Sequence, residues 1–144
     1  MKRFLSALAA VVMVMSIIAP GAYAQENRSA DDLRILGIDT SHSVNVRDVV
    51  IRDPFVLVSG GIYYMYGTGA STVEGYGCYI SLDLETWYGP VNVFEAKDGF
   101  DGVNCFWAPE CHYYNGSYYL LASYGSASTG HRGTSVFHSS SPLG

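Results

Sequence analysis

The chain has 144 residues, a net charge of −5 and 12 tyrosines against 8 lysines and arginines. Its length bounds it to one small domain. The acidic balance, with no basic stripe, argues against nucleic acid as a partner.

The first residues read as a leader. Lys2 and Arg3 precede an apolar run from Phe4 to Ile18, Pro20-Gly21 breaks it, and Ala22-Tyr23-Ala24 has the pattern of a cleavage site. The run is short for a membrane span. A secretory signal peptide over residues 1–24 is expected, giving a secreted or periplasmic product with no membrane association after cleavage. The remaining residues carry six basic against 13 acidic groups, a net charge near −7. An aromatic-rich, mildly acidic secreted chain suits neutral ligands with apolar faces, and sugars are of that kind.

Residues 25–45 are polar and poor in aromatics. Their apolar cluster of Leu33, Ile35, Leu36 and Ile38 suggests an N-terminal arm with one strand-like piece. Strand signals then follow one another from Val46. Phe55 to Val58 and Ile62 to Tyr66 flank Gly60-Gly61 as a hairpin. Tyr76 to Ser81 is a third strand. Asp83 falls in a turn, and Thr86-Trp87-Tyr88 opens a short fourth strand ending at Gly89-Pro90. No stretch beyond the leader sustains a helical period.

The pattern then restarts. Pro54 matches Pro109, Gly61 matches Gly116, and Tyr63-Tyr64 match Tyr118-Tyr119, all at an offset of 55. Asn115-Gly116 is a hairpin signal in the place of Gly60-Gly61. The third strand recurs as Ser135 to Ser139, and Ser81 matches Ser139 at an offset of 58. Repeats of four short strands are the signature of propeller blades, which bury their faces by stacking around an axis. Residues 46–144 hold about two copies, the second stopping after its third strand. Propellers close with about four to eight blades. The expectation is an all-β chain forming the front part of a longer propeller, inactive and poorly soluble by itself. A small β-sandwich of two similar sheets is the alternative architecture.

Cys78, Cys105 and Cys111 form an odd set, read as small, mostly buried side chains, with a Cys105–Cys111 pair left open. No zinc-type spacing occurs.

Innermost propeller strands converge on one axial pocket. The repeat brings Asp53 to the first strand entrance and Trp107-Ala108-Pro109-Glu110 to the second. Pro54 restricts Asp53 to extended geometry, so the carboxylate is expected to be held rigidly. Paired carboxylates and an aromatic platform are what glycosidic bond cleavage needs.

Five motifs stand in order: Arg52-Asp53-Pro54-Phe55, Tyr63-Tyr64-Met65-Tyr66-Gly67-Thr68, Ser81-Leu82-Asp83-Leu84-Glu85-Thr86-Trp87, Phe106-Trp107-Ala108-Pro109-Glu110 and Ser139-Ser140-Ser141-Pro142-Leu143-Gly144. Together they resemble glycoside hydrolase family 43, which contains arabinofuranosidases, xylosidases and arabinanases. The resemblance implies a five-bladed β-propeller, an axial active site and an inverting mechanism. It implies arabinan, arabinoxylan or xylan as substrate. It makes Asp53 the general base and Trp107 the wall of a sugar subsite, with Phe106 beside it and Gly67-Thr68 near the pocket. Glu110 takes a structural or polar pocket role in contact with substrate, with acid catalysis as the lesser reading because its motif is not the family's acid motif, and His112 shares its strand face. The family's general acid and the Asp that tunes it belong to later blades. No cofactor is required. Calcium occurs near the axis in the family, with no ligands identifiable here. Asp83 reads as a turn residue, Trp87 as blade core, and His131-Arg132-Gly133 as a solvated loop. A non-catalytic carbohydrate-binding propeller and an inactive fragment are the competing readings.

Overall fold

The computed structural model describes residues 28–144. The expected leader, residues 1–24, lies outside them. The described part holds two antiparallel sheets and one short helix. In chain order the elements are α1 (Ala30–Ile35), β1 (Val44–Asn45), a 3-10 turn (Val46–Asp48), β2 (Arg52–Ser59), β3 (Ile62–Thr68), β4 (Gly75–Ser81), β5 (Thr86–Glu95), β6 (Gly102–Tyr114), β7 (Ser117–Ser126) and β8 (Arg132–Ser139).

Where a strand-like piece is expected around Leu33, the chain forms α1. The signals are local. The Ser29 N–H donates to the Asp32 carboxylate at 2.6 Å, and Asp31 and Asp32 put negative charge at the first turn. A Schellman motif closes the other end, with Ile38 N–H donating to the Leu33 carbonyl and Gly37 N–H to that of Arg34. The helix delivers Leu33 and Ile38 to the core.

The first sheet has the order β1-β5-β4-β3-β2 and the second β6-β7-β8. Both expected hairpins are present as two-residue loops. Ser59 faces Ile62 across Gly60-Gly61, and Tyr114 faces Ser117 across Asn115-Gly116. All four loop residues have positive φ, as a type I′ turn demands. The two-residue β1 adds a strap to the outer edge, Val44 pairing with Trp87.

The strand β5 does not end at Gly89-Pro90 but runs to Glu95. Tyr88 faces Ile80 and Val91 faces Cys78, so Gly89 and Pro90 together oppose Tyr79. A proline without an N–H is accommodated at such a bulge.

One aromatic cluster joins the sheets. Tyr76 on β4 meets Phe106 on β6 edge-on at 5.4 Å and Phe137 on β8 at 5.7 Å, while Phe94 on β5 lies 4.3 Å from Phe137. Such pairs contribute about 0.5–1.5 kcal/mol each beyond area burial. Hydrogen bonds cross the same seam. The Tyr76 hydroxyl donates to the Ser123 carbonyl at 2.8 Å, the Tyr66 hydroxyl to that of Pro142, and Ser59 and Tyr118 share a hydroxyl contact at 2.7 Å. Burial pushes the Tyr64 phenol up to about 12 and raises Tyr66 and Tyr76 further still. These rings therefore stay neutral and serve as packing and donors.

The three cysteines are unpaired, with Cys78 and Cys111 buried. Burial raises both of these thiols, which keeps them protonated and unreactive.

The Asp83 turn is tied by its carboxylate, which accepts from the backbone N–H groups of Glu85 at 2.8 Å and Thr86 at 2.7 Å. Ser81 Oγ accepts from Leu84 N–H at 2.9 Å, and the buried Trp87 indole donates to the Leu84 carbonyl at 3.0 Å. The hydrogen bond from Thr86 N–H, chief among several, lowers the Asp83 carboxyl below its usual range. A lowered carboxyl stabilises the fold above its unfolded-state value, and this contribution is lost as pH falls through the folded value. We expect Asp83→Ala to lose about 1–2 kcal/mol in urea unfolding at neutral pH, the size of a lost cap. The deficit against wild type should shrink in acid, where both chains lack the ionised carboxylate.

Candidate functional site

The site is built on the two strands that lie side by side between the sheets, β2 and β6. The acidic residues on these strands are Asp53 and Glu110. Asp53 sits at a register shift between Arg52 and Phe55. It is not extended, as the following proline would suggest, but has φ of 51°. Asp is among the residues that tolerate this region, and a proline after it makes the conformation less favourable. Surrounding contacts must therefore hold it.

Those contacts are visible. The Thr68 hydroxyl donates to Asp53 Oδ2 at 3.1 Å and accepts from Ala108 N–H at 2.8 Å. Thr68 is only 8% exposed, so it lies beneath the carboxylate rather than at a pocket rim. Gly67 makes the approach of β2 sterically feasible. A Cβ there would come within 2.5 Å of the Ile51 side chain and 2.8 Å of the Arg52 carbonyl.

The repeat extends to backbone conformation. Ala108 precedes Pro109 as Asp53 precedes Pro54, and its φ is 47°. Arg52 faces Thr68 and Trp107 faces Ser123, again at an offset of 55. The second copy thus has a methyl group where the first has a carboxylate. The Thr68 hydroxyl ties the two equivalent positions together across the sheets.

The strand β6 shifts register three times between Gly102 and Glu110. Within this irregular run Trp107 remains 39% exposed. Its ring is not bare. The Arg132 guanidinium carbon lies 3.9 Å from the ring centroid and that of Arg52 lies 5.8 Å away. Arg132, expected in a solvated loop, instead opens β8 and reaches across to the indole. It also donates to the Cys105 carbonyl at 3.4 Å. Phe106, expected beside Trp107 at the subsite, packs against Tyr76 in the aromatic cluster.

Glu110 and His112 share a face, as their spacing suggests. Glu110 Oε2 and His112 Nε2 are 3.4 Å apart, both well exposed, and the His112 ring lies 4.8 Å from Phe55 on β2. The structure thus brings Asp53, Thr68 and Ala108 together, stations Trp107 under two arginines, and gives Glu110 a histidine partner. Among the described residues no group of three or more His, Cys, Asp or Glu side chains could hold a metal ion. A cavity of about 350 Å³ lies elsewhere, lined by Tyr66, Phe94, Phe137 and the 138–144 segment.

Comparison with known proteins places this arrangement. Residues 46–144 match the family described as Glycosyl hydrolases family 43. The chain belongs to that family. Its fold is the family's five-bladed β-propeller fold, of which the described residues supply two neighbouring sheets. An endo-arabinase from Bacteroides thetaiotaomicron VPI-5482 is 37% identical, with a TM-score of 0.62 over 70% of this chain and 35% of that one. A thermostable family-43 glycoside hydrolase is 34% identical, with a TM-score of 0.54 over 65% of this chain and 30% of that one. An arabinanase from Bacillus subtilis is 26% identical, with a TM-score of 0.54 over 65% and 34%. Among curated proteins none matches. This family-43 chain thus aligns with about a third of the length of the solved structures it resembles.

The bridging hydroxyl carries a prediction. Thr68→Val keeps the shape but leaves Asp53 without its donor and the Ala108 N–H without its acceptor. The expected loss is about 1–2 kcal/mol, measured by urea unfolding. Thr68→Ser should retain most of the stability.

Proposed function

We propose that this chain is part of a secreted or periplasmic, inverting glycoside hydrolase that cleaves O-glycosyl bonds in arabinose- or xylose-containing plant polysaccharides. Its exported form begins after the leader at residue 25, and residues 46–144 form the propeller portion. The observation that carries the reading is the Asp53 carboxylate, held at a strand entrance by the Thr68 hydroxyl, in a chain of family 43. The endo-arabinase and arabinanase among the similar structures favour an arabinan-type substrate.

In this reading Asp53 is the general base. One carboxylate oxygen accepts from Thr68, which leaves the other free to accept a proton from water. The deprotonating water attacks the anomeric carbon from the face opposite the leaving group, so configuration inverts. Trp107 borders the sugar beside this water, and Thr68 contributes by positioning the base. Phe106 supports β6 from within the core. Glu110 is a polar neighbour whose His112 partner sets its orientation. The proton for the leaving oxygen comes from a general acid beyond these two sheets.

A carbohydrate-binding role without catalysis would use the same indole and make Asp53 dispensable for affinity. The two readings separate on one substitution. In the intact protein Asp53→Asn should cut kcat on arabinan by about 10²–10⁴-fold, with stability close to wild type. Glu110→Gln should lower it far less. A reducing-sugar assay decides between them, and near wild-type turnover by Asp53→Asn would sink the proposal.

A further inference from the structure

The described residues contain six cationic side chains in an acidic chain, and two of them converge on one ring. Arg34 is paired with Asp31 and Lys97 with Glu95. Arg52 and Arg132 have no ion pair among the described residues, although Asp53 follows Arg52 directly and Glu110 lies on the strand of Trp107. Those carboxylates are engaged elsewhere, Asp53 by Thr68 and Glu110 by His112. Arg132 makes one hydrogen bond, to the Cys105 carbonyl, out of the five N–H donors of a guanidinium.

A neutral sugar seeks an apolar face to stack on, yet Arg132 stands directly over this indole at 3.9 Å. A ligand approaching Trp107 therefore meets guanidinium N–H groups as well as ring. We propose that Arg52 and Arg132, flanking Trp107, form a subsite for a sugar carboxylate, so that the polysaccharide taken here carries uronic acid residues. The inference rests on the carbohydrate reading above and narrows its substrate class. Guanidinium groups recognise carboxylates in bidentate fashion, and stacking on an aromatic ring fixes their orientation beforehand. Exposure keeps the gain modest and makes it sensitive to salt.

The test is calorimetric titration of the intact protein in an Asp53→Asn background, so that the probes are not cleaved, after near-UV circular dichroism confirms native packing around its tryptophans. The probes are a xylo-oligosaccharide with and without a glucuronic acid branch, and an arabino-oligosaccharide with and without a galacturonic acid residue. In at least one pair the acidic member should bind about 3- to 10-fold more tightly at low salt, and the responsive pair identifies the uronic acid. The preference should disappear at high salt and in Arg132→Gln and Arg52→Gln. Arg132→Lys, which keeps charge but loses the planar fork, should retain only part of it and serves where the Gln variant loses native packing. Equal affinity for both members of each pair would overturn this subsite while leaving the glycoside hydrolase reading standing. A folded intact protein with no affinity for any of the four would overturn both.

Discussion

The two halves of the candidate site depend on one hydroxyl. Thr68 Oγ1 donates to Asp53 on one innermost strand and accepts from the Ala108 N–H on the other. Each partner precedes a proline and has positive φ. A conformation of this kind persists only when its surroundings determine it. The bridge supplies that determination in a near-buried place, and it orients the carboxylate through a side chain that does not itself need to touch a ligand.

The aromatic seam makes such a bridge feasible. Tyr76, Phe94, Phe106 and Phe137 set the separation of the sheets, and tyrosine hydroxyls fix their register through backbone carbonyls. The bulged entrances of β2 and β6 can then carry irregular backbone because regular pairing resumes within a few residues. Rigid sheets below and irregular entrances above are a common division between scaffold and site.

Much of this was legible in the residues. Gly60-Gly61 and Asn115-Gly116 have a turn chemistry that admits few alternatives, and the offset of 55 marks the repeat because both copies solve the same packing problem. The rest depended on contacts remote in sequence. An Asp before a proline points to extended backbone, and only Thr68 and the approach permitted by Gly67 explain why Asp53 departs from it. Arg132 reaches Trp107 from another strand, which no local pattern announces. Helix α1 is shorter than any periodicity window, though its capping residues were readable. Phe106 adjoins Trp107 in sequence, and only its contact with Tyr76 on the other sheet shows that it packs against the core.

The central claim is that Asp53 acts on water and not on the sugar. The most direct measurement is the anomeric configuration of the first sugar released by the intact protein from an arabino-oligosaccharide, read by proton NMR before mutarotation. A carboxylate that deprotonates water leads to a single displacement and an inverted product, whereas one that attacks the sugar forms a glycosyl-enzyme and gives a retained product. The account predicts an inverted product, with turnover lost in Asp53→Gly. A retained product, or full activity in Asp53→Gly, would contradict the account.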